Sequence, residues 1–201
     1  MTLNRETRIR LISPDGQTEY VTGNASGIGI SQGSMNLNEM ICDSELVFGS
    51  YCANKFEVEL FGLTSDVTGY KIEVKDVFDE NNPVALFTGI VESATRDTIN
   101  ESRKIVAYDQ MYYTRDMNMA SWWNTFWENH QYAPLSTVRE MLVAAAGFTY
   151  VQVVLPNDNL TISKFTSFTS VKFSDLLRMI CEVQCCFPNV RRDGKLEFLQ
   201  L

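Results

Sequence analysis

The sequence is poor in histidine, in positive charge and in long apolar runs, and each shortage closes a class of function. Its one histidine, His130, has no Gly-x-Ser-x-Gly elbow to serve, and Glu128 and Asn129 beside it mark a surface stretch rather than a catalytic base. Seventeen Lys plus Arg against 25 Asp plus Glu leave a formal charge of −8. Electrostatic capture of nucleic acid or of an anionic membrane is thereby excluded, and no basic run restores it. No window reaches the ~18 apolar residues of a membrane span. Met1 to Ile12 alternates and carries Arg5, Arg8 and Arg10 where a signal peptide needs an unbroken apolar segment, so the expectation is synthesis in the cytoplasm without a signal peptide.

Five cysteines are present, Cys42, Cys52, Cys181, Cys185 and Cys186. An odd set in a chain long enough to fold without staples reads as reduced thiols. The sequons at Asn24, Asn100 and Asn159 are then chance matches. Apolar residues make up 45% and charged residues 21%, an ordinary globular balance that rules out disorder and coiled coil. A length of 201 residues fits one large domain or two small ones.

The first half reads as strands joined by turns. Arg8 to Ile12, a turn at Pro14-Asp-Gly and a return over Thr18 to Val21 spell a hairpin, followed by a Gly/Ser/Asn-rich loop from Gly23 to Gly33. That loop's Gly23-x-x-x-Gly-x-Gly spacing carries no Lys-Ser/Thr and precedes no helix, so it is neither a P-loop nor a dinucleotide fingerprint. Phe56, Val58 and Leu60 alternate with charges, and Ile72, Val74 and Phe78 repeat the device. Ala85 to Ala94 and Arg103 to Tyr108 add two more strands. Such spacing predicts a small antiparallel β-barrel over residues 1–115.

Residues 116–201 read as an α+β domain, so the fold class is β-rich α+β. Tyr112 to Asn129 is crowded with aromatics and lacks period-two alternation. A capping box at Thr137-x-x-Glu140 opens a helix with Val138, Met141, Leu142 and Ala145 on one face and Gly147 as its stop. Val151 to Leu155 and Leu160 to Phe165 are expected strands around Pro156-Asn-Asp-Asn. Phe173, Leu176, Leu177, Ile180 and Cys181 mark a second helix. Phe187 to Arg192 and Lys195 to Leu201 then flank Asp193-Gly194, a type I′ hairpin signal. Ending inside a strand, the chain reads as a fragment or as a piece completed by a partner.

Little here looks catalytic, and no catalytic, cofactor-binding or metal-binding residue is assigned. Cys181, Cys185 and Cys186 lack the paired knuckles or histidine of a zinc site, and Cys181 lies on an apolar helix face. The pairs Asp43 with Glu45 and Asp79 with Glu80 sit where a solvated face is expected. The strongest local feature is aromatic: Trp122, Trp123, Phe126 and Trp127 share one side of a helical turn. They either cap the end of the barrel or anchor an interface with another subunit or partner.

Three stretches in order resemble phage and prophage tail proteins of the baseplate hub or tail tip. They are Leu46-Val-Phe-Gly-Ser-Tyr-Cys-Ala-Asn; Leu86-Phe-Thr-Gly-Ile-Val-Glu-Ser with Lys104-Ile-Val-Ala-Tyr-Asp-Gln-Met; and Val171-Lys-Phe-Ser-Asp-Leu-Leu-Arg-Met-Ile with Arg192-Asp-Gly-Lys-Leu-Glu-Phe. The resemblance covers about residues 31 to 201 and departs at Cys185-Cys186, where the pattern has Gly and small residues. It implies a homotrimeric ring of small β-barrels in the virion tail, joining the tail tube to a spike, fibre or tail-associated lysin. It implies contacts with other tail proteins and no enzymatic activity, since the hydrolase of longer members follows this region. Two competing readings are a saccharide- or peptidoglycan-binding module stacking sugars on Trp122, Trp123 and Trp127, and a cysteine-dependent enzyme pairing Cys181, Cys185 or Cys186 with His130.

Overall fold

The computed structural model describes residues 6–23, 25–40, 47–79 and 81–200. Residues 1–5, Asn24, Cys42, Asp43, Glu45, Leu46, Glu80 and Leu201, all within the stretches considered above, lie outside them. The chain forms two compact units that interleave in sequence. One takes Met1–Glu39, Ala53–Gln110 and Arg192–Gly194; the other takes Met40–Cys52, Met111–Arg191 and Lys195–Leu201.

Among the described residues the first unit is one curled antiparallel sheet of eight strands: β1 (Glu6–Ile12), β2 (Glu19–Val21), β3 (Gly29–Ile30), β4 (Asn36–Asn38), β5 (Lys55–Phe61), β6 (Lys71–Val77), β7 (Val84–Asp97) and β8 (Ser102–Tyr108). The order is β2-β1-β6-β7-β8-β5-β3, with β4 also on β5. Strict alternation fills its inner face: Ile9 and Leu11, Phe56, Val58 and Leu60, Ile72 and Val74, and Ile105 and Ala107 form one buried cluster with Phe87 and Val91. The outer face carries the charges, where Arg10 of β1 bonds Glu19 of β2 and Lys71 bonds Glu73, at 2.5 and 2.7 Å.

Chain closure rests on small devices. Past β2, the Gly23 N–H donates to Ile28 C=O at 2.9 Å, so the glycine-rich loop folds back from one edge of the sheet toward the other. At the far edge β3 and β4 are two pieces of one interrupted strand on β5. Between them the Ser34 hydroxyl replaces a backbone partner by accepting the Glu59 N–H at 3.1 Å. Gly62, at φ 74°, lies so close to the Gly27 carbonyl that a Cβ would strike it.

Phe78 departs from the expected phase: it is 47% exposed and follows the end of β6. The cause is local. Strand β6 ends at Val77, with Asp76 and Val77 in its last buried sites, while the nearby β6–β7 register shift skips Leu86 of β7 and leaves the phase of β6 unchanged.

Among the described residues the second unit holds four helices: α1 (Gln110–Thr114), α2 (Ala120–Asn129), α3 (Leu135–Ala145) and α4 (Phe173–Val183). Hairpins β9 (Tyr132–Pro134) with β10 (Thr161–Ser163) and β11 (Phe187–Val190) with β12 (Leu196–Leu199) complete it. Helix α4 buries Phe173, Leu176, Leu177, Ile180 and Cys181, the face its spacing predicts. Helices α1 and α2 occupy the aromatic-rich stretch that carries no strand signal.

Three local expectations fail. No capping box forms at Thr137, because α3 begins two residues earlier at Leu135 with Pro134 as its N-cap. Its buried face is consequently Leu135, Val138, Arg139, Leu142 and Val143, while Met141 and Ala145 are exposed. Val151 to Leu155 is not a ladder strand: only its start joins β12, through Val151 N–H to Leu196 C=O at 2.8 Å. At the C-terminal hairpin Gly194 alone takes a positive φ, 84°, and Arg191 pairs with Lys195, which makes a three-residue loop instead of a type I′ turn.

Candidate functional site

The second unit contains the features most able to bind something. Its aromatic block is spent largely inside. Asn118 opens α2 by accepting the Ala120 N–H at 3.0 Å, and the buried face runs from Ala120 to Trp123 one turn later. Trp123, Phe126 and Trp127 are 3%, 5% and 6% exposed, whereas Trp122 is half-buried. The Trp123 indole N–H donates to Thr166 C=O at 3.0 Å, and its ring meets those of Phe165 and Phe168 at 5.2 and 5.7 Å. The Asn124 carboxamide holds the Phe168 backbone from both sides, at 2.8 and 3.2 Å. The block therefore fastens the irregular strap 165–168. It does not present three indoles as a stacking platform. His130 is engaged locally as well, Nδ1 against Phe126 C=O at 2.8 Å and ring stacked on Phe126 at 4.4 Å.

Beside that strap runs an apolar cleft of about 430 Å³, floored by Trp123, Leu135, Val138, Leu176 and Ile180, with Thr161 and Ser163 as its polar members. Leu160, Phe165, Met179 and Val183 stand exposed on its rim. Concave, apolar and sparsely polar is the usual character of a small-molecule or peptide site.

One wall of the unit is set by a buried ionic network that the sequence reading missed. Arg139 is 1% exposed. Its Nη1 donates to Asp158 Oδ1 at 2.6 Å and Gln184 Oε1 at 2.9 Å, its Nη2 reaches Val153 C=O at 3.3 Å, and its guanidinium lies over Phe198 at 5.2 Å. Gln184 Nε2 also donates to Asp158 Oδ1, at 2.6 Å, and Leu155 N–H donates to Oδ2 at 2.9 Å. One turn, 155–160, thus ties the start of α3 to the end of α4. The only signal was positional: Arg139 follows Val138 and sits one turn after Leu135, on the face that must be buried.

Three of the five cysteines lie at the end of α4. Cys181 and Cys186 are wholly buried and Cys185 is exposed. The Cys181 thiol, bonded to Cys186 and desolvated, is pushed well above its ordinary value. Its partner Cys186 is held below, chiefly because Cys181 bonds to it. Among the described residues no group of three or more His, Cys, Asp and Glu side chains could hold a metal ion, and no helix is long and apolar enough to cross a membrane.

Solved structures give the fold a context. A 43 kDa tail protein of prophage MuSo2 from Shewanella oneidensis matches 97% of this chain at TM-score 0.58 and 12% identity. A tail protein from Neisseria meningitidis matches 96% at 0.56 and 14%, and the prophage tail protein gp18 from Listeria monocytogenes 96% at 0.52 and 11%. The chain has the fold of prophage tail proteins. It spans about half the length of these structures, 56%, 51% and 50% of each. No protein-family model matches the sequence. No curated protein matches it closely enough in sequence to count as a relative.

Proposed function

We propose that this chain is a structural part of a phage or prophage tail, placed at the baseplate hub or tail tip, where copies form a trimeric ring joining the tail tube to a spike or fibre. The observation that carries the reading is the fold, matched over nearly the whole chain to tail proteins of three different bacteria. The motif resemblance set out above supports the hub position. On this reading the protein acts by assembly, without substrate or cofactor, in contact with other tail proteins. Trp122, the half-buried member of the aromatic block, is the one left to meet a neighbour; Trp123, Phe126 and Trp127 support it from within. Sugar stacking would rest on that single indole, and no observation favours it.

Mass measurement in solution over a wide concentration range, alone and mixed with the tail-tube protein of the same phage, tests the proposal. A ring of three copies, or a complex with the tube, is expected. A monomer at every concentration that ignores the tube protein would sink it.

A further inference from the structure

The last turn of α4 is closed by a Schellman motif: Cys186 N–H donates to Cys181 C=O at 3.1 Å, Cys185 N–H donates to Glu182 C=O at 3.4 Å, and Cys185 takes the left-handed conformation at φ 48°. This motif brings the side chains three positions before and two positions after the cap together, usually as an apolar contact. Here those two positions are Cys181 and Cys186, so backbone geometry alone presses two thiols against each other. The Cys186 Sγ lies 3.9 Å from the Cys181 C=O, and both side chains are wholly buried. The intervening position, normally glycine, is a cysteine whose side chain stands in solvent.

We propose that Cys181 and Cys186 are a disulfide-forming pair, and that Cys185 is the entry point through which a small-molecule disulfide oxidises them. Neither buried sulfur can be reached directly, but Cys185 can. Its thiolate attacks the reagent disulfide, forming a mixed disulfide and expelling one reagent thiolate. Cys186 attacks the Cys185 sulfur and expels the second. Cys181 then attacks the Cys186 sulfur and returns Cys185 as a thiolate. In sum two protein thiols are oxidised to one disulfide, one reagent disulfide is reduced to two thiols, and the two protons of Cys181 and Cys186 pass to the departing thiolates. The product staples the end of α4 to the start of β11, and it stays open in a reducing cytoplasm but closes in an oxidising medium. This inference does not depend on the tail assignment.

The test uses the folded, reduced full chain with oxidised glutathione, followed by acid quench and N-ethylmaleimide. Trypsin releases Met179–Arg191, which holds all three thiols, and cleavage after Glu182 separates Cys181 from the other two. Mass spectrometry is expected to find Cys181 joined to Cys186, with maleimide on Cys185. The oxidised chain should also melt at higher temperature. Cys185→Ser should reach the same bond about tenfold more slowly. Cys181→Ser should leave glutathione or a Cys185–Cys186 bond in place. Glutathione retained on Cys185 of the unsubstituted protein, an end product joining Cys185 to Cys186, or bonds to Cys42 or Cys52 would overturn the pair. Unslowed oxidation of Cys185→Ser would overturn the entry point.

Discussion

Arg139 shows how much one residue can set. Buried ion pairs rarely add stability over apolar packing, but removing one partner strands the other. Arg139→Ala leaves Asp158 and Gln184 facing each other without a cation, and should cost about 3–5 kcal/mol in urea unfolding, against less for Arg139→Met with Asp158→Asn. A loss below about 1 kcal/mol would mean that water replaces the guanidinium. Exposed carboxylates act on a different axis, pH. Asp97 is held below its ordinary 3.8 first by the Ile99 N–H and then by Asn100; Asp79 and Asp66 are lowered by the same kind of turn, through Asn81 and Thr68. A carboxylate whose folded value is depressed contributes stability above its unfolded value and loses it as pH falls through the folded one. Melting temperature should therefore be insensitive to these groups near neutrality and fall below about pH 3.8, the fall being shallower in Asp97→Asn. An unchanged acid profile in that variant would contradict the assignment.

Among the elements, those declared by periodicity were legible and those set by tertiary contacts were not. Strand β5 and helix α4 bury the residues that their two- and 3.6-residue spacings name, because each has one core-facing side and little competition. Helix α3 was misplaced at its start because a plausible Thr137-x-x-Glu140 signal was overruled by the backbone bond of Leu135 to Leu160 across from β10, a contact between residues far apart in sequence. The cleft was illegible for the same reason: its floor draws on α2, α3 and α4, and no window of sequence contains it. The aromatic block was located, but its purpose, fastening 165–168, became visible only with the strap in place. Turn geometry yields a prediction at this scale. Gly62→Ala combines a left-handed backbone with a collision against the Gly27 carbonyl, and should destabilise the sheet by about 1–3 kcal/mol, measured by denaturant midpoint. Gly16→Ala, also at positive φ but with open space around it, should cost less.

For the molecule as a whole, interleaving matters most. The second unit takes residues 47–52 from between strands of the first, and there the Phe48 ring meets that of Phe187 at 5.3 Å in a tilted contact while Gly49 N–H donates to Cys186 C=O at 3.0 Å. A chain comprising residues 116–201 alone lacks those partners. It should show lower cooperativity and a reduced melting temperature by circular dichroism, recovering when a peptide of residues 40–52 is added. Full native stability without the peptide would show that the crossing segment is dispensable. The proposed tail-tip placement rests on motif order alone, since the structural likeness speaks to the fold and assembly leaves no catalytic signature in a sequence.

The broken strand opposite β5 carries a consequence for crowding. One margin of the sheet is three residues long, and the other is split into pieces of two and three by a serine hydroxyl that occupies the backbone's place. Neither offers the long, straight row of free amides that a stray β-segment needs for templated growth. The sheet therefore gives a stray β-segment little backbone to extend, and association through its margins at high concentration is disfavoured.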